Sequence, residues 1–298
     1  MTPCLTELDY PWLCLHFESL PLEVYTRGLA GTDTPVVVTE RNRVAWLNDI
    51  AADLGILPGN SMDTAYTLSN SVSAFERDAT REHVAITQLA GWAYKYTPNV
   101  SLLAPHSLLL DIRGCLKLFG GMEGLYSSIV DGLEATGYSA LVGAAPTPMA
   151  ALLLARAQKT YANLPEVPLE YLDVDSHIID ALGQMGISRL SELLALPKSG
   201  LNRRFGVFFV DYLQRLTGER PDPRKFVDPS PHFFSEITFP GDVDDMHALV
   251  FPMRRLLGEL CSYLFGRQLA TSHLTWQFCH RSHPPRLMNV YLASPECD

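Results

Sequence analysis

Short, dense apolar runs open the chain and predict buried strands. The run at 12–16 (WLCLH) and the Leu20–Leu22 segment behind it are interpreted together as a strand that begins a domain. Apolar runs at 35–38 and 44–46 flank the polar residues 41–43, a pattern that predicts a hairpin. Further strands are predicted at 100–103, 107–112 and 140–143.

Between these runs, apolar residues follow helical spacing. Asn48 is a predicted N-cap for a helix at 49–54, which Gly55 ends. A longer helix is predicted at 82–94, with an apolar side of Val84, Leu89, Trp92 and Ala93. Helices are also predicted at 62–68, 122–137 and 148–158. Strands interleaved with helices favour an α/β or α+β sheet domain with helices packed on it.

The pattern changes after Pro165. Residues 176–218 predict only helices, which lie at 176–185, 189–196 and 201–216. The stretch 220–231 is rich in proline and charge and is the strongest linker signal in the chain. Beyond it, the pattern predicts a helix at 245–265 and strands at 273–279 and 287–292. Two open strands are marginally stable alone, so either a partner completes this sheet, the chain is a fragment, or its gene is shortened.

Composition limits the classes of function. The chain has 298 residues, of which 47% are hydrophobic, which is typical of a globular protein of two to three domains. Its formal net charge of -10 opposes tight DNA binding, because cationic side chains that neutralise phosphates supply most of the sequence-independent affinity. Any DNA contact is therefore expected to be weak or confined to small basic islands.

The chain carries no signal of export or of membrane insertion. Residues 1–10 lack the pattern of a signal peptide, and no apolar run approaches the roughly 18 residues of a membrane helix. The six cysteines are scattered without CxxC pairs, as expected of reduced thiols. A cytoplasmic location without a membrane contact is predicted.

Several strings resemble the Y-family (UmuC-type) DNA polymerases. The string at 13–27 (LCLHFESLPLEVYTR) lies where that family has its first catalytic strand, and the string at 101–121 (SLLAPHSLLLDIRGCLKLFGG) lies where it has its second acidic motif. The string at 186–193 (GISRLSEL) is similar to the helix-hairpin-helix turn of the family's thumb. The strings at 35–59 and 89–103 resemble the ImuB-type branch, whose members are catalytically deficient and belong to bacterial damage-inducible mutagenesis cassettes.

The resemblance implies an α+β fold with the family's domain order. It implies a palm at 1–22 and 83–166, fingers at 23–82, a helical helix-hairpin-helix thumb at 167–219, a linker at 220–238 and a truncated little finger at 239–298.

The resemblance also implies that the catalytic carboxylates are missing. Nucleotidyl transfer uses two divalent metals held by hard oxygen ligands, which in the family are carboxylates. The matching positions here are His16 and the pair His106–Ser107. Glu18 lies two residues beyond His16, and Asp111 matches a position that is usually structural. These five positions are interpreted as vestigial, and no metal is expected.

The nucleotide pocket departs from the family pattern as well. The tyrosine and arginine that active relatives present to the triphosphate match Asp49 and Ala52, and the aromatic steric gate falls near Pro21. Only Lys159 matches a phosphate-contacting lysine, although its place after an apolar helix favours a solvated helix-end cation.

Two sets of basic residues are candidates for DNA binding. The first, beside the predicted thumb turn, consists of Lys198, Arg203 and Arg204, with an ordinary solvated helix face as the alternative. The second consists of Arg254, Arg255 and Arg281. In the first thumb hairpin, Asp173–Val174–Asp175 replaces the family's Gly-x-Gly, which makes DNA binding through that loop doubtful.

These features predict an adaptor that is not an enzyme. By resemblance, its partners are damaged or primer-template DNA, held weakly, an error-prone DnaE-type polymerase, a RecA-like accessory protein and a sliding clamp. The alternatives are an active translesion polymerase with a rearranged magnesium site around Glu18 and Asp111, or a degenerate fragment.

Two transition-metal sites are conceivable but not favoured. His16, His106 and Glu18 form one candidate, and Cys279, His280 and His283 form the other. Core or surface histidines are the preferred interpretation of both groups.

Overall fold

The computed structural model describes residues 10–29, 34–103, 105–228, 230–239, 241, 243, 245–280 and 282–297. The strands in these residues are β1 (Trp12–His16), β2 (Val36–Glu40), β3 (Arg43–Leu47), β4 (Ser73–Glu76), β5 (Val100–Leu103), β6 (Ser107–Asp111), β7 (Leu141–Ala145), β8 (Thr271–His280) and β9 (His283–Glu296). The α-helices are α1 (Leu20–Thr26), α2 (Asp49–Asp53), α3 (Met62–Leu68), α4 (Ala79–Ala93), α5 (Met122–Thr136), α6 (Pro148–Ala157), α7 (Ser176–Gln184), α8 (Leu190–Leu194), α9 (Lys198–Phe205), α10 (Val207–Thr217) and α11 (Met246–Arg267).

A four-stranded antiparallel sheet in the order β5-β6-β1-β7 organises the first half of the chain. Successive residues of a strand point to opposite faces, and both faces of this sheet are covered. Leu13 and Leu110 lie in the core that includes α4 and α5, whereas Cys14 and Leu109 lie in the core that includes α6 and the later helices. The continuous apolar runs of β1 and β6 are explained by this burial on two sides.

A smaller sheet, in the order β3-β2-β4, packs α2 and α3 around its own core. The predicted hairpin is confirmed: Arg41 and Asn42 have φ values of 51° and 65°, as a tight hairpin turn requires. The parallel strand β4 was not predicted, because its partner β2 is remote in sequence.

Three sequence predictions of local structure are wrong. The Leu20–Leu22 segment begins helix α1, because Pro21 supplies the backbone angle of a first helical turn and needs no hydrogen-bond donor there. Val84 was predicted on the apolar side of its helix but is 37% exposed. Helix α4, which begins at Ala79, buries a different face. The helix predicted at 201–216 is two helices, since Gly206, with φ 86° and ψ 170°, breaks it.

The C-terminal unit is held against the first half of the chain by polar contacts. The described residues of segment 220–239 lie in neither a helix nor a strand, yet the Val227 amide donates to the Val100 carbonyl at 2.7 Å. On α11, Glu259 pairs with Arg27 at 2.8 Å, and the two side chains are only 9% and 2% exposed. Strands β8 and β9 form a separate two-stranded ribbon.

Within the described ranges, no helix combines the length and apolar character needed to cross a bilayer.

Candidate functional site

His16 and Ser107 meet at one edge of the four-stranded sheet. His16 is the last residue of β1 and is paired with Ser107, the first residue of its antiparallel neighbour β6. His16 Nδ1 lies 2.8 Å from Ser107 Oγ, and Ser107 is 3% exposed. The strand edge thus presents an imidazole and a hydroxyl group that are already hydrogen-bonded to each other.

The imidazole of His16 is neutral at neutral pH. Burial, with the positive charge of Arg156 and the proximity of His106 as smaller causes, lowers the pKa of His16 to about 4. The site therefore gains no charge from this residue in the physiological range.

His106 is bound to the buried carboxylate Glu82 of α4. His106 Nε2 lies 2.7 Å from Glu82 Oε2, and Arg77 donates to both oxygens of Glu82 at 2.8 and 2.9 Å. Burial disfavours the charged form of Glu82, but the hydrogen bonds from Arg77 and His106 outweigh it and the pKa of Glu82 is lowered. Glu82 is thus ionised and fully occupied by protein donors.

Arg77 extends this cluster into the smaller sheet. Its Nη1 donates to Glu40 of β2 at 2.8 Å, and its guanidinium carbon lies 5.1 Å from the centre of the Trp46 ring. One guanidinium therefore links the smaller sheet to α4 through two carboxylates and an aromatic face. We call Glu40, Arg77, Glu82 and His106 the arginine cluster.

Glu18 and Asp111 lie apart. Asp111 is paired with Trp12 at the opposite end of β6, four residues or ~13 Å from Ser107 at the usual strand rise. Its carboxylate binds its neighbour Arg113. Glu18 is exposed beyond the other end of β1. The structure does not bring these two acids together.

No metal-binding group of three or more His, Cys, Asp or Glu side chains exists among the described residues. At the β8–β9 turn the rings of His280 and His283 stack at 4.9 Å, and Cys279 is exposed nearby.

The residues that match the family's nucleotide pocket have structural surroundings of their own. Asp49 is the first residue of α2, behind its predicted cap Asn48, which accepts a hydrogen bond from the Ala51 amide. Pro21 is buried in α1, and Lys159 is exposed just past the end of α6.

The first set of predicted DNA-binding residues divides into paired and unpaired members. Lys198 is paired with Glu219. Arg203 and Arg204 are exposed in the last turn of α9, and no ion pair to either occurs within the described part of the chain. The two arginines are therefore free to bind an anion.

The second set has one member turned inward. Arg254 is exposed on α11, whereas Arg255 donates to the carbonyl oxygens of Arg27 and Ala135. Arg255 therefore joins α11 to the rest of the chain. Arg281 lies outside the described residues.

The Asp173 loop is engaged within the protein. The Asp173 amide donates to the Tyr212 hydroxyl at 3.2 Å, and its carboxylate accepts from Arg156 at 3.2 Å. The backbone donor that a phosphate would need at this position is thus already used.

The sequence interpretation missed Arg77 and Glu82. The signal for Glu82 was its spacing from Ile86, Leu89 and Ala93, which places it on the buried face of α4. Nothing local indicated Arg77, because its partners come from β2 and α4.

Comparison with known proteins agrees with this fold. Residues 21–156 match the impB/mucB/samB family. The protein ImuB of two Caulobacter vibrioides strains, NA1000 / CB15N and ATCC 19089 / CIP 103742 / CB 15, is 27% identical over 195 residues. That alignment covers 62% of this chain but only 43% of the relatives, so the chain matches less than half of their length.

Solved structures of Y-family polymerases share the fold. A ternary complex of Dbh superposes with a TM-score of 0.57 at 15% identity, covering 96% of this chain and 88% of that one. A Y-family DNA polymerase chimera of Dbh and Dpo4 gives 0.56 at 16% identity, covering 95% and 88%. DinB from Sulfolobus solfataricus gives 0.53 at 15% identity, with coverage of 95% and 88%. Residues 21–156 are therefore similar to the impB/mucB/samB family, and the chain has the α+β fold of the Y-family DNA polymerases.

Proposed function

We propose that this protein is a non-catalytic, Y-family polymerase-like adaptor that acts at damaged DNA during translesion synthesis and mutagenesis. The proposal rests on which side chains lie at the strand edge where β1 meets β6. A two-metal site needs several anionic oxygens within reach of ions about 4 Å apart. The edge instead offers the neutral His16, the hydroxyl of Ser107, and Glu82 held by Arg77 and His106.

We further propose the domain roles implied by the resemblance. The four-stranded sheet is the palm, the β2–β4 sheet the fingers, α7–α10 the thumb, and α11 with the ribbon a partial little finger. Helices α1 and α4 cross the expected borders at 22/23 and 82/83, so they belong to both palm and fingers.

Active polymerisation through a rearranged magnesium site is the competing function. It requires Glu18 and Asp111 to share metal ions, but Glu18 lies beyond the His16 end of β1, whereas Asp111 is paired with Trp12 at the other end of that strand. The degenerate-fragment alternative is opposed by the cores on both faces of the main sheet, which include buried residues from α4, α5, α6 and α10.

DNA binding is proposed to be weak and local. The net charge of -10 repels DNA, and Arg203 and Arg204, which form no ion pair with any described residue, are the basic side chains that best fit a phosphate contact. As proposed partners we retain an error-prone DnaE-type polymerase, a RecA-like accessory protein and a sliding clamp, in the cytoplasm. Support for these partners comes from the likeness to ImuB.

Primer extension combined with a gel shift tests this function. The purified chain is expected to extend no primer with magnesium or manganese, yet to shift primer-template DNA at low salt. The Arg203→Ala, Arg204→Ala double variant should reduce the slope of log affinity against log salt by about 1.8, since each phosphate contact contributes about 0.9. Incorporation that disappears in Glu18→Gln would favour the polymerase alternative, and a co-purification with a DnaE-type polymerase tests the adaptor role itself.

A further inference from the structure

The turn between α9 and α10 holds an aromatic side chain outside the protein. The rings of Phe205 and Phe209 pack at 5.4 Å, and Phe209 is 3% exposed. Phe208 is rotated by about 100° from Phe209 around the helix, and its side chain is 87% exposed. Beside it, Val207 is 61% exposed. Phe208 makes little contribution to the core, because its neighbour Phe209 fills the inward position.

This turn is also locally positive in an acidic protein. Residues 201–210 contain Arg203 and Arg204 and no acidic residue. The next acid, Asp211, pairs with Arg215 at 2.8 Å and also with Arg220. The guanidinium carbon of Arg204 lies 5.7 Å from the centre of the Phe205 ring, which places one cation at the base of the turn. The exposed ring and the unpaired cations therefore occupy the same turn.

An exposed ring beside unpaired arginines fits a partner with both flat faces and negative charge. Unpaired DNA offers bases whose faces are open for stacking, and phosphates on either side of them. Inside a duplex each base stacks on both of its neighbours, so the ring would find no open face there. Because no acid lies in 201–210, nothing within this segment repels the phosphates.

We propose that the α9–α10 turn binds single-stranded stretches of DNA, with Phe208 stacking on a base and Arg203 and Arg204 contacting the adjacent phosphates. The inference rests on the proposed function at DNA and adds the class of DNA: a primer-template with an unpaired overhang.

The test measures the affinity of the full chain for two fluorescein-labelled DNAs by anisotropy: a primer-template with a single-stranded overhang, and a blunt duplex of equal length. Phe208→Ala should weaken binding of the overhang DNA about 5- to 20-fold and leave the blunt duplex unchanged, as expected for the loss of one base stack. Phe208→Trp should retain the affinity. Leu118→Ala is the matched control, because Leu118 is 83% exposed but lies on a different element.

A 2-aminopurine base in the overhang reports stacking directly. Its fluorescence should be quenched by the wild-type chain and not by Phe208→Ala. Equal quenching and equal affinity for the two proteins would overturn the proposal, as would an equal loss of affinity for both DNAs. Capture of a protein through Phe208 with unchanged DNA affinities would overturn it in favour of a protein partner.

The double arginine variant separates this proposal from the general one. If Arg203→Ala, Arg204→Ala lowers the affinity for both DNAs while Phe208→Ala changes neither, DNA binding stands and base stacking fails. If the wild-type chain binds neither DNA at low salt, both proposals fail.

Discussion

At the scale of single residues, Arg77 supplies the positive charge that a buried carboxylate requires. A buried carboxylate such as Glu82 needs a compensating cation, and Arg77 supplies it through two hydrogen bonds. The same guanidinium reaches Glu40 in the neighbouring sheet. A fixed protein cation thus stabilises the carboxylate that lies beside His106.

Arg77→Met should lower the free energy of unfolding by about 2–3 kcal/mol in urea denaturation at pH 7, because Glu82 would be left buried and without its main partner. The expected loss is below that for a fully buried pair, since the Arg77 side chain is 25% exposed. Arg203→Met, which breaks no ion pair among the described residues, should change stability by less than about 0.5 kcal/mol. Equal effects of the two substitutions would show that the arginine cluster contributes little.

His16 predicts a specific pH dependence. The pKa of His16 is about 4 in the folded chain and about 6.5 without the fold, so between pH 7 and pH 5 the unfolded chain takes up a proton that the folded chain does not. This residue therefore lowers stability as the pH falls through that interval, and its effect levels off below pH 4.

The contribution of His16 is isolated by a difference between two proteins. Glu23, whose pKa burial raises to about 6, acts in the opposite direction, so the total pH dependence is mixed. The wild-type chain should lose more stability from pH 7 to pH 5 than His16→Asn does. If urea titrations gave the wild-type chain and His16→Asn the same loss of stability between pH 7 and pH 5, the His16 imidazole would be solvent-exposed and not buried.

At the scale of elements, the α9–α10 break depends on one backbone conformation. Gly206 has φ 86° and ψ 170°, a region open almost solely to glycine. A Cβ at Gly206 would meet no atom within 4 Å, so the requirement is conformational and not steric crowding.

Gly206→Ala should therefore cost about 1–3 kcal/mol of stability by thermal or urea denaturation. Gly200→Ala provides a control within the same helix, because Gly200 also has open space around it but sits inside α9. That substitution should be neutral or stabilise by up to about 1 kcal/mol through helix propensity. If Gly206→Ala left the stability unchanged, α9 and α10 would not depend on this backbone conformation.

At the scale of the whole molecule, a buried ion pair couples α11 to the first half of the chain. Arg27 and Glu259 are joined by Ser235, whose hydroxyl bonds to Glu259 and accepts from Arg27 at 3.3 Å. Arg27 also lies 4.8 Å from the centre of the Tyr138 ring. Residues far apart in sequence thus share one buried polar contact.

Glu259→Ala should release α11, because Arg27 would be left buried without its counter-charge. Hydrogen exchange monitored by mass spectrometry should show faster exchange in α11, with little change in the four-stranded sheet. Glu236→Ala, at an exposed acid of segment 220–239, is the control and should leave α11 protected. Unchanged exchange in Glu259→Ala would show that apolar contacts alone hold the helix.

Much of this architecture could be predicted from local patterns, and the remainder depends on contacts between distant residues. The strands at 12–16, 36–40 and 43–47 and the Asn48 cap follow from short apolar runs, turn residues and capping chemistry. Strand β4, the arginine cluster and the buried contacts of Arg255 could not be predicted, because their partners come from distant parts of the chain. The resemblance predicts that the catalytic carboxylates are replaced, whereas the pairing of Glu82 with Arg77 is known only from the structure.

Binding of manganese at the β1–β6 edge tests the central claim most directly. Electron paramagnetic resonance of Mn²⁺ titrated into the chain with primer-template DNA and a nucleoside triphosphate should show no metal bound beyond that held by the nucleotide and DNA alone. Two coupled Mn²⁺ ions per chain, lost on His16→Ala or Glu82→Gln, would contradict the account.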